Sequence, residues 1–127
     1  MPHSILIVDD DAQVRKLCRL ALEEPGYFVR EARNGKEALA AIQGSSFDLI
    51  VLDLCMPGMD GFEFLAAVRA ETQKLKVIGI SGFMSGTMLP AAKLYGAAAV
   101  LAKPFTPESL LSAVDEVLKG AGPAAAG

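Results

Sequence analysis

The sequence predicts one doubly wound α/β domain, and three observations support this fold class. Short apolar runs alternate with helix-period segments five times, the runs carry few polar residues, and no change in composition interrupts the alternation before the last residues. Strands that are apolar on both faces are typical of parallel sheets covered by helices. Right-handed crossovers then place ligands outside the carboxyl ends of the strands.

Five runs are predicted as strands because each is short, mostly apolar and followed by turn or polar residues. In chain order they cover residues 4–8, 27–30, 49–52, 76–80 and 98–101. Each is followed by a segment that can form a crossover helix, so the unit repeats as βα along the chain.

The first helix is predicted from apolar residues that fall at i, i+3, i+4, i+7 and i+8, which is one helical face. This face places Cys18 in the core. Its residues are Val14, Leu17, Cys18, Ala21 and Leu22.

The last helix has the clearest predicted ends, since Thr106 can cap it with Pro107 at the first helical position. Its apolar stripe runs to Leu118, and Gly120 then ends it. Weaker patterns predict helices over residues 36–42, 62–70 and about 87–95, the last of them weakened by Pro90.

The domain is expected to cover residues 1–119. Residues 120–127 are small, include a proline and show no periodicity, so they are expected to be a flexible tail or the stub of a linker.

Composition argues against several classes of function. A net charge of -3 and a pI near 5.1 oppose nucleic-acid binding by this domain. No apolar run approaches the roughly 18 residues of a membrane span, and residues 1–4 lack the basic start of a signal peptide. We therefore expect a cytoplasmic protein without membrane contact, in which Cys18 and Cys55 are reduced thiols.

Polar residues follow four of the predicted strands and should meet at one edge of the sheet. Asp9, Asp10 and Asp11 follow the first strand, Asp53 the third, Ser81 the fourth and Lys103 the fifth. Taken singly, Asp11 reads as a helix cap, Asp9 and Asp10 as solvated turn residues, and Lys103 as a surface charge.

As a group these residues predict a cation site. Asp9, Asp10 and Asp53 would repel one another by about 4 kcal/mol per pair at roughly 4 Å and an effective dielectric near 20. Lys103 supplies one positive charge, and the remaining -2 is the charge that one Mg²⁺ would cancel. Carboxylate oxygens at an open edge suit Mg²⁺, whereas transition metals favour His or Cys.

An aspartate beside Mg²⁺ and a lysine can act as a nucleophile toward phosphorus. Asp53 is the best-placed candidate. A hydroxyl at Ser81 could then hydrogen-bond the new phosphoryl group and draw its loop toward the site.

Four motifs in order resemble the receiver domain of bacterial two-component response regulators, of the kind found in chemotaxis regulators. The motifs are ILIVDDD from Ile5, LDLCMPGMDG from Leu52, ISG from Ile80 and LAKPF from Leu101. The resemblance covers residues 4–118 and implies a flavodoxin-like (βα)5 fold with a five-stranded parallel sheet of order 2-1-3-4-5.

The resemblance also implies a role for each matching residue. Asp53 would accept a phosphoryl group from a phosphohistidine of a histidine kinase or histidine phosphotransfer protein, and would change the surface seen by an unknown downstream protein. Asp10, Asp53 and the backbone carbonyl of Cys55 would bind Mg²⁺, with Asp9 assisting partly through water. Ser81 and Lys103 would contact the phosphoryl group, and Lys103-Pro104 would be a cis peptide.

Three departures from the family pattern modify these expectations. Val100 replaces a frequent Tyr or Phe, so the switch is expected in the loop around Gly82, Phe83, Met84 and Gly86. Cys55 and Phe83 stand where polar side chains can position hydrolytic water, so we expect a long-lived acyl phosphate. Residues 96–99, Gly-Ala-Ala-Ala, lack the charges of a charge-paired dimer face.

Three other functions compete with this interpretation. A pseudo-receiver would bind a partner without phosphorylation, but the pocket residues are all present. An aspartyl-phosphate phosphatase of the haloacid dehalogenase type would carry its nucleophile in a D-x-D-x-T/V pattern after the first strand, and Asp9-Asp-Asp-Ala-Gln13 breaks that pattern. A flavin module would need a glycine- and hydroxyl-rich phosphate loop there.

Overall fold

The protein is described from a computed structural model, which covers residues 3–56, 61–71, 75–82 and 96–119. Within these ranges a five-stranded parallel sheet of order β2-β1-β3-β4-β5 is flanked by four helices. The strands are β1 Ser4–Val8, β2 Phe28–Ala32, β3 Leu49–Asp53, β4 Lys76–Ser81 and β5 Ala99–Ala102. The helices are α1 Ala12–Glu23, α2 Gly35–Gly44, α3 Gly61–Glu71 and α4 Pro107–Leu118.

The predicted fold class and strand order are confirmed, and every predicted strand is present with small shifts at its ends. The largest shift is in β2, which begins one residue later and ends two residues later than predicted. Gly26 adopts a positive φ of 111° and the Tyr27 amide donates to the Leu22 carbonyl, so Tyr27 belongs to the turn after α1. Because β2 reaches Ala32, Glu31 lies inside the strand.

The core has two layers, one on each face of the sheet. Leu6 and Val8 of β1 point to the layer that packs against α2 and α3, while Ile5 and Ile7 point to the layer against α1 and α4. This alternation follows from the two-residue period of a strand. Cys18 is fully buried in the second layer, as predicted, and burial raises the pKa of its thiol to about 12.

Side-chain caps fix where the helices begin. Asp11 caps α1 by accepting a hydrogen bond from the Gln13 amide at 2.8 Å, and Asn34 caps α2 in the same way. Thr106 and Ser109 form a reciprocal capping box at α4, with Pro107 as its first residue. The predicted N-cap roles of Asp11 and Thr106 are therefore confirmed.

Several predictions fall outside the described residues. These are the helix over residues 87–95, the loop residues Phe83, Met84 and Gly86, the loop after Met56 and the tail from Gly120 onward. In the part of the chain that is described, no helix has the length and apolar character needed to cross a membrane.

Candidate functional site

The parallel register brings the ends of four strands to one edge of the sheet. Val8 pairs with Leu52, Asp53 with Ile80, and Ser81 with Ala102. Asp9 and Asp10 follow directly after β1, Asp53 ends β3, and Lys103 follows directly after β5. The reversal of strand order between β1 and β3 opens a crevice at this edge, the usual position of ligands in such sheets.

Three carboxylates converge in this crevice. Oxygen atoms of Asp9, Asp10 and Asp53 all lie within 4.8 Å of one another. Asp9 and Asp53 are buried, at 1% and 3% exposed, whereas Asp10 is exposed. The site therefore has a buried floor of two carboxylates and one carboxylate at its open rim.

Lys103 bridges the two buried carboxylates. Its Nζ lies 3.1 Å from Asp9 Oδ2 and 3.1 Å from Asp53 Oδ2. Burial lowers the pKa of Lys103, but its interactions with the Asp9 and Asp53 carboxylates outweigh burial and the net shift is upward. The ammonium group is therefore held firmly in its charged form.

The charged form of the Asp9 carboxyl is disfavoured in this arrangement. Burial raises the pKa of its carboxyl, and repulsion from Asp53 adds to that rise, while the Asp11 amide and Lys103 act in the opposite direction. Since the net shift is upward, Lys103 alone does not compensate for the buried charge.

The donor set fits Mg²⁺. Among the described residues, the buried Asp9 Oδ2 has no well-aligned hydrogen bond, although Lys103 Nζ stands close to it. A buried oxygen of this kind, in a cluster of carboxylates with one open side, is suited to a hard cation. The three aspartates that the sequence predicted as metal ligands are thus brought together.

Cys55 lies beside the Asp53 carboxylate, and Ser81 lies beside Cys55. Ser81 is fully buried, and its Oγ is 3.6 Å from Cys55 Sγ. The Cys55 amide donates to Asp53 Oδ1 at 2.9 Å. The Lys103-Pro104 peptide is cis, as the resemblance implied, and the Lys103 amide donates to the Ser81 carbonyl.

Sequence reasoning missed Arg15. Its guanidinium Nη1 donates to the Asp9 carbonyl oxygen at 2.8 Å, and its side chain is only 11% exposed. No motif could have marked this contact because the acceptor is a backbone atom. The available signal was weaker, namely an arginine in the first turn of a helix that begins at an acidic run.

Comparison with known proteins gives consistent matches over almost the whole chain. The family model described as "Response regulator receiver domain" matches residues 5–115. Sporulation initiation phosphotransferase F of Bacillus subtilis is 34% identical, with 93% of this chain and 95% of that protein aligned. Transcriptional regulatory protein ResD of the same organism is 36% identical over 92% of this chain. The match covers only 48% of ResD, so this chain spans about half the length of that relative.

Comparison with solved structures gives matches of the same extent. The chemotaxis response regulator CheY4 of Vibrio cholerae is 36% identical and superposes with a TM-score of 0.86, covering 92% of this chain and 99% of that chain. A CheY-like receiver domain protein from Methanospirillum hungatei is 32% identical with a TM-score of 0.89, covering 94% and 96%. The match thus extends from the sequence motifs to the backbone fold.

Proposed function

This chain belongs to the response regulator receiver domain family, and on that premise we propose that Asp53 accepts a phosphoryl group in a two-component phosphorelay. The observation that carries the proposal is the convergence of Asp9, Asp10 and Asp53 around one crevice, with Lys103 Nζ 3.1 Å from two of them. The donor would be a phosphohistidine on a histidine kinase or a histidine phosphotransfer protein.

Mg²⁺ is the proposed cofactor. Asp10, Asp53 and the carbonyl oxygen of Cys55 would bind it directly, and Asp9 would bind it partly through water. When bound, the cation would neutralise negative charge on the carboxylates and on the transferring phosphoryl oxygens.

The transfer itself needs few groups from the protein. A carboxylate oxygen of Asp53 forms the new bond to phosphorus while the bond from phosphorus to the histidine nitrogen breaks, and the electron pair leaves with the imidazole. Lys103 then stabilises a phosphoryl oxygen with the ammonium group that now bridges Asp9 and Asp53. The Ser81 hydroxyl donates a hydrogen bond to another phosphoryl oxygen, which draws the end of β4 toward the site.

The output of this chemistry would be a change in the surface seen by partner proteins. Receiver domains are in general signalling modules, and the only catalysis proposed for this chain is its own phosphorylation and slow dephosphorylation. Helix α1 begins at the acidic edge and carries Leu20, which is 59% exposed. Leu20 lies about two helical turns along α1 from the crevice, and this exposed side chain supports docking of a phosphodonor protein against α1.

Intact-mass measurement after incubation with a small phosphodonor tests the proposal. Wild type with Mg²⁺ should gain the mass of one phosphoryl group, and Asp53→Asn should not. Asp48→Asn is the matched control, because Asp48 lies at the opposite edge of the sheet and accepts a hydrogen bond from the Ser4 amide that asparagine can also accept. Phosphorylation that persists without Mg²⁺ or in Asp53→Asn would contradict the proposal, as would a wild type that gains no mass.

A further inference from the structure

Arg15 reaches backward from helix α1 to the acidic crevice. It lies in the first turn of the helix, yet its Nη1 donates to the carbonyl oxygen of Asp9, six residues earlier, at 2.8 Å. For an arginine the side chain is well covered, with 11% exposed. A charged side chain buried to this extent is expected to be paired with hydrogen-bond acceptors.

Glu31 of β2 is the partner that fixes Arg15. Glu31 Oε1 accepts from Arg15 Nε at 2.9 Å, and Glu31 Oε2 accepts from Arg19 Nε at 2.6 Å. The hydrogen bond from Arg19, aided by that from Arg15, lowers the pKa of Glu31 despite the opposing effect of burial. The guanidinium of Arg15 is thus clamped between a carboxylate on β2 and a carbonyl in the metal-binding loop.

The Asp9 backbone is consequently held at both of its polar groups. Its amide donates to the Ala32 carbonyl at 3.2 Å, and its carbonyl accepts from Arg15. Since the peptide that joins Asp9 to Asp10 is planar, fixing that carbonyl also fixes the direction in which Asp10 leaves the strand. The two adjacent carboxylates are oriented through one peptide group.

We propose that Arg15, held by Glu31, is a positioning residue for the cation site. The proposal rests on the proposed function. Arg15 does not touch the metal or the phosphoryl group but fixes the Asp9-Asp10 peptide so that both carboxylates face the crevice. Groups that orient metal ligands in this way commonly change metal affinity by about 10-fold or more when removed.

The sign of the effect separates positioning from simple electrostatics. Arg15 carries a positive charge near a site for a cation, so removing that charge should by Coulomb's law alone strengthen Mg²⁺ binding. Loss of positioning predicts the opposite, namely weaker binding.

The test is a Mg²⁺ titration of the full chain followed by amide chemical shifts, with wild type, Arg15→Met, Arg15→Lys and Arg19→Met compared. We expect Arg15→Met to weaken binding by about 10-fold. Arg15→Lys should weaken it less, because an ammonium keeps the charge but lacks the planar fork that reaches Asp9 and Glu31 together. Arg19→Met is the matched control, since Arg19 shares Glu31 but has no hydrogen bond to Asp9 among those described, and its affinity should be unchanged or slightly higher.

Each result decides the proposal. Equal or tighter binding by Arg15→Met overturns it, and so does a loss in Arg19→Met as large as that in Arg15→Met. If the spectrum of Arg15→Met shows an unfolded chain, the Mg²⁺ affinity of Arg15→Lys is used instead. Binding as tight as in wild type, or tighter, then overturns the proposal. A folded wild type that shows no saturable Mg²⁺ binding would instead refute the cation site in the proposed function, which is a separate failure.

Discussion

Each carboxylate oxygen of Asp53 is held by a different donor. Oδ1 accepts from the Cys55 amide and Oδ2 from Lys103 Nζ. The side chain is therefore fixed at the floor of the crevice, which would favour attack along one direction in the proposed phosphoryl transfer. Asp10, in contrast, is exposed at the open rim of the crevice, where the proposed hydrated cation would reach it first.

Cys55 offers the acceptor site no polar group that can orient water. Its Sγ lies 3.6 Å from Ser81 Oγ, and a thiol is a weak hydrogen-bonding partner. We therefore predict that the acyl phosphate of the wild type is long-lived and that Cys55→Asn shortens its lifetime by about fivefold, the rate equivalent of one hydrogen bond worth ~1 kcal/mol.

The measurement is the decay of phosphorylated protein by intact mass after the phosphodonor is removed. Cys55→Ala is the control, because it removes the thiol without adding a polar group and should decay as slowly as wild type. Decay at one common rate in all three proteins would exclude a role of this side chain in hydrolysis.

At the scale of elements, the start of α3 packs tightly against the residue that follows Asp53. A Cβ added to Gly61 would lie 2.4 Å from the Leu54 carbonyl oxygen and 2.6 Å from Leu54 Cα, both backbone atoms. Only glycine allows this approach. The close contact ties α3 to the loop that follows β3.

Gly61→Ala should accordingly lower the free energy of unfolding by about 1–3 kcal/mol, the usual range for inserting an atom into a packed region. Urea unfolding followed by circular dichroism measures this change. Gly44→Ala is the matched control, since a Cβ there would meet nothing within 4 Å, and its helical position makes the substitution neutral or slightly stabilising. Equal stability of the two variants would mean that the contact at Leu54 relaxes without cost.

The strands and helices also show which features of the structure were predictable from the sequence. The strand ends at Asp9, Asp53, Ser81 and Lys103 were predictable because short apolar runs and parallel crossovers leave only one edge for the residues after them. The position of Tyr27 was not, because a hydrogen bond from its amide to Leu22 decides whether it belongs to the turn or to β2. The contacts of Arg15 were not predictable for a similar reason, since its partners are a backbone carbonyl and a residue on β2.

At the scale of the whole molecule, the strand order explains why one crevice collects the site. β1 and β3 are neighbours, while the chain between them crosses to β2 on the other side, so the loops after β1 and β3 diverge and leave space between them. β4 and β5 then add Ser81 and Lys103 from the same side. The two core layers hold this edge in place with fully buried strand residues on both faces.

This chain aligns with relatives of two different lengths, which is typical of a domain that occurs in proteins of different architecture. It aligns with 95% of sporulation initiation phosphotransferase F but with 48% of ResD. The part that these relatives share with this chain is the receiver fold, and the acidic crevice described above lies within it. The proposed phosphorylation therefore requires Asp53 within the receiver fold and no further domain.

Chemical trapping of the acyl phosphate locates the modified residue most directly. Protein incubated with a small phosphodonor and Mg²⁺ is reduced with borohydride, which converts a phosphorylated aspartate into homoserine, and the peptides are then sequenced by mass spectrometry. We expect homoserine at position 53 alone, and only when Mg²⁺ was present. Homoserine at Asp9 or Asp10, or none at any position in folded protein, would contradict it.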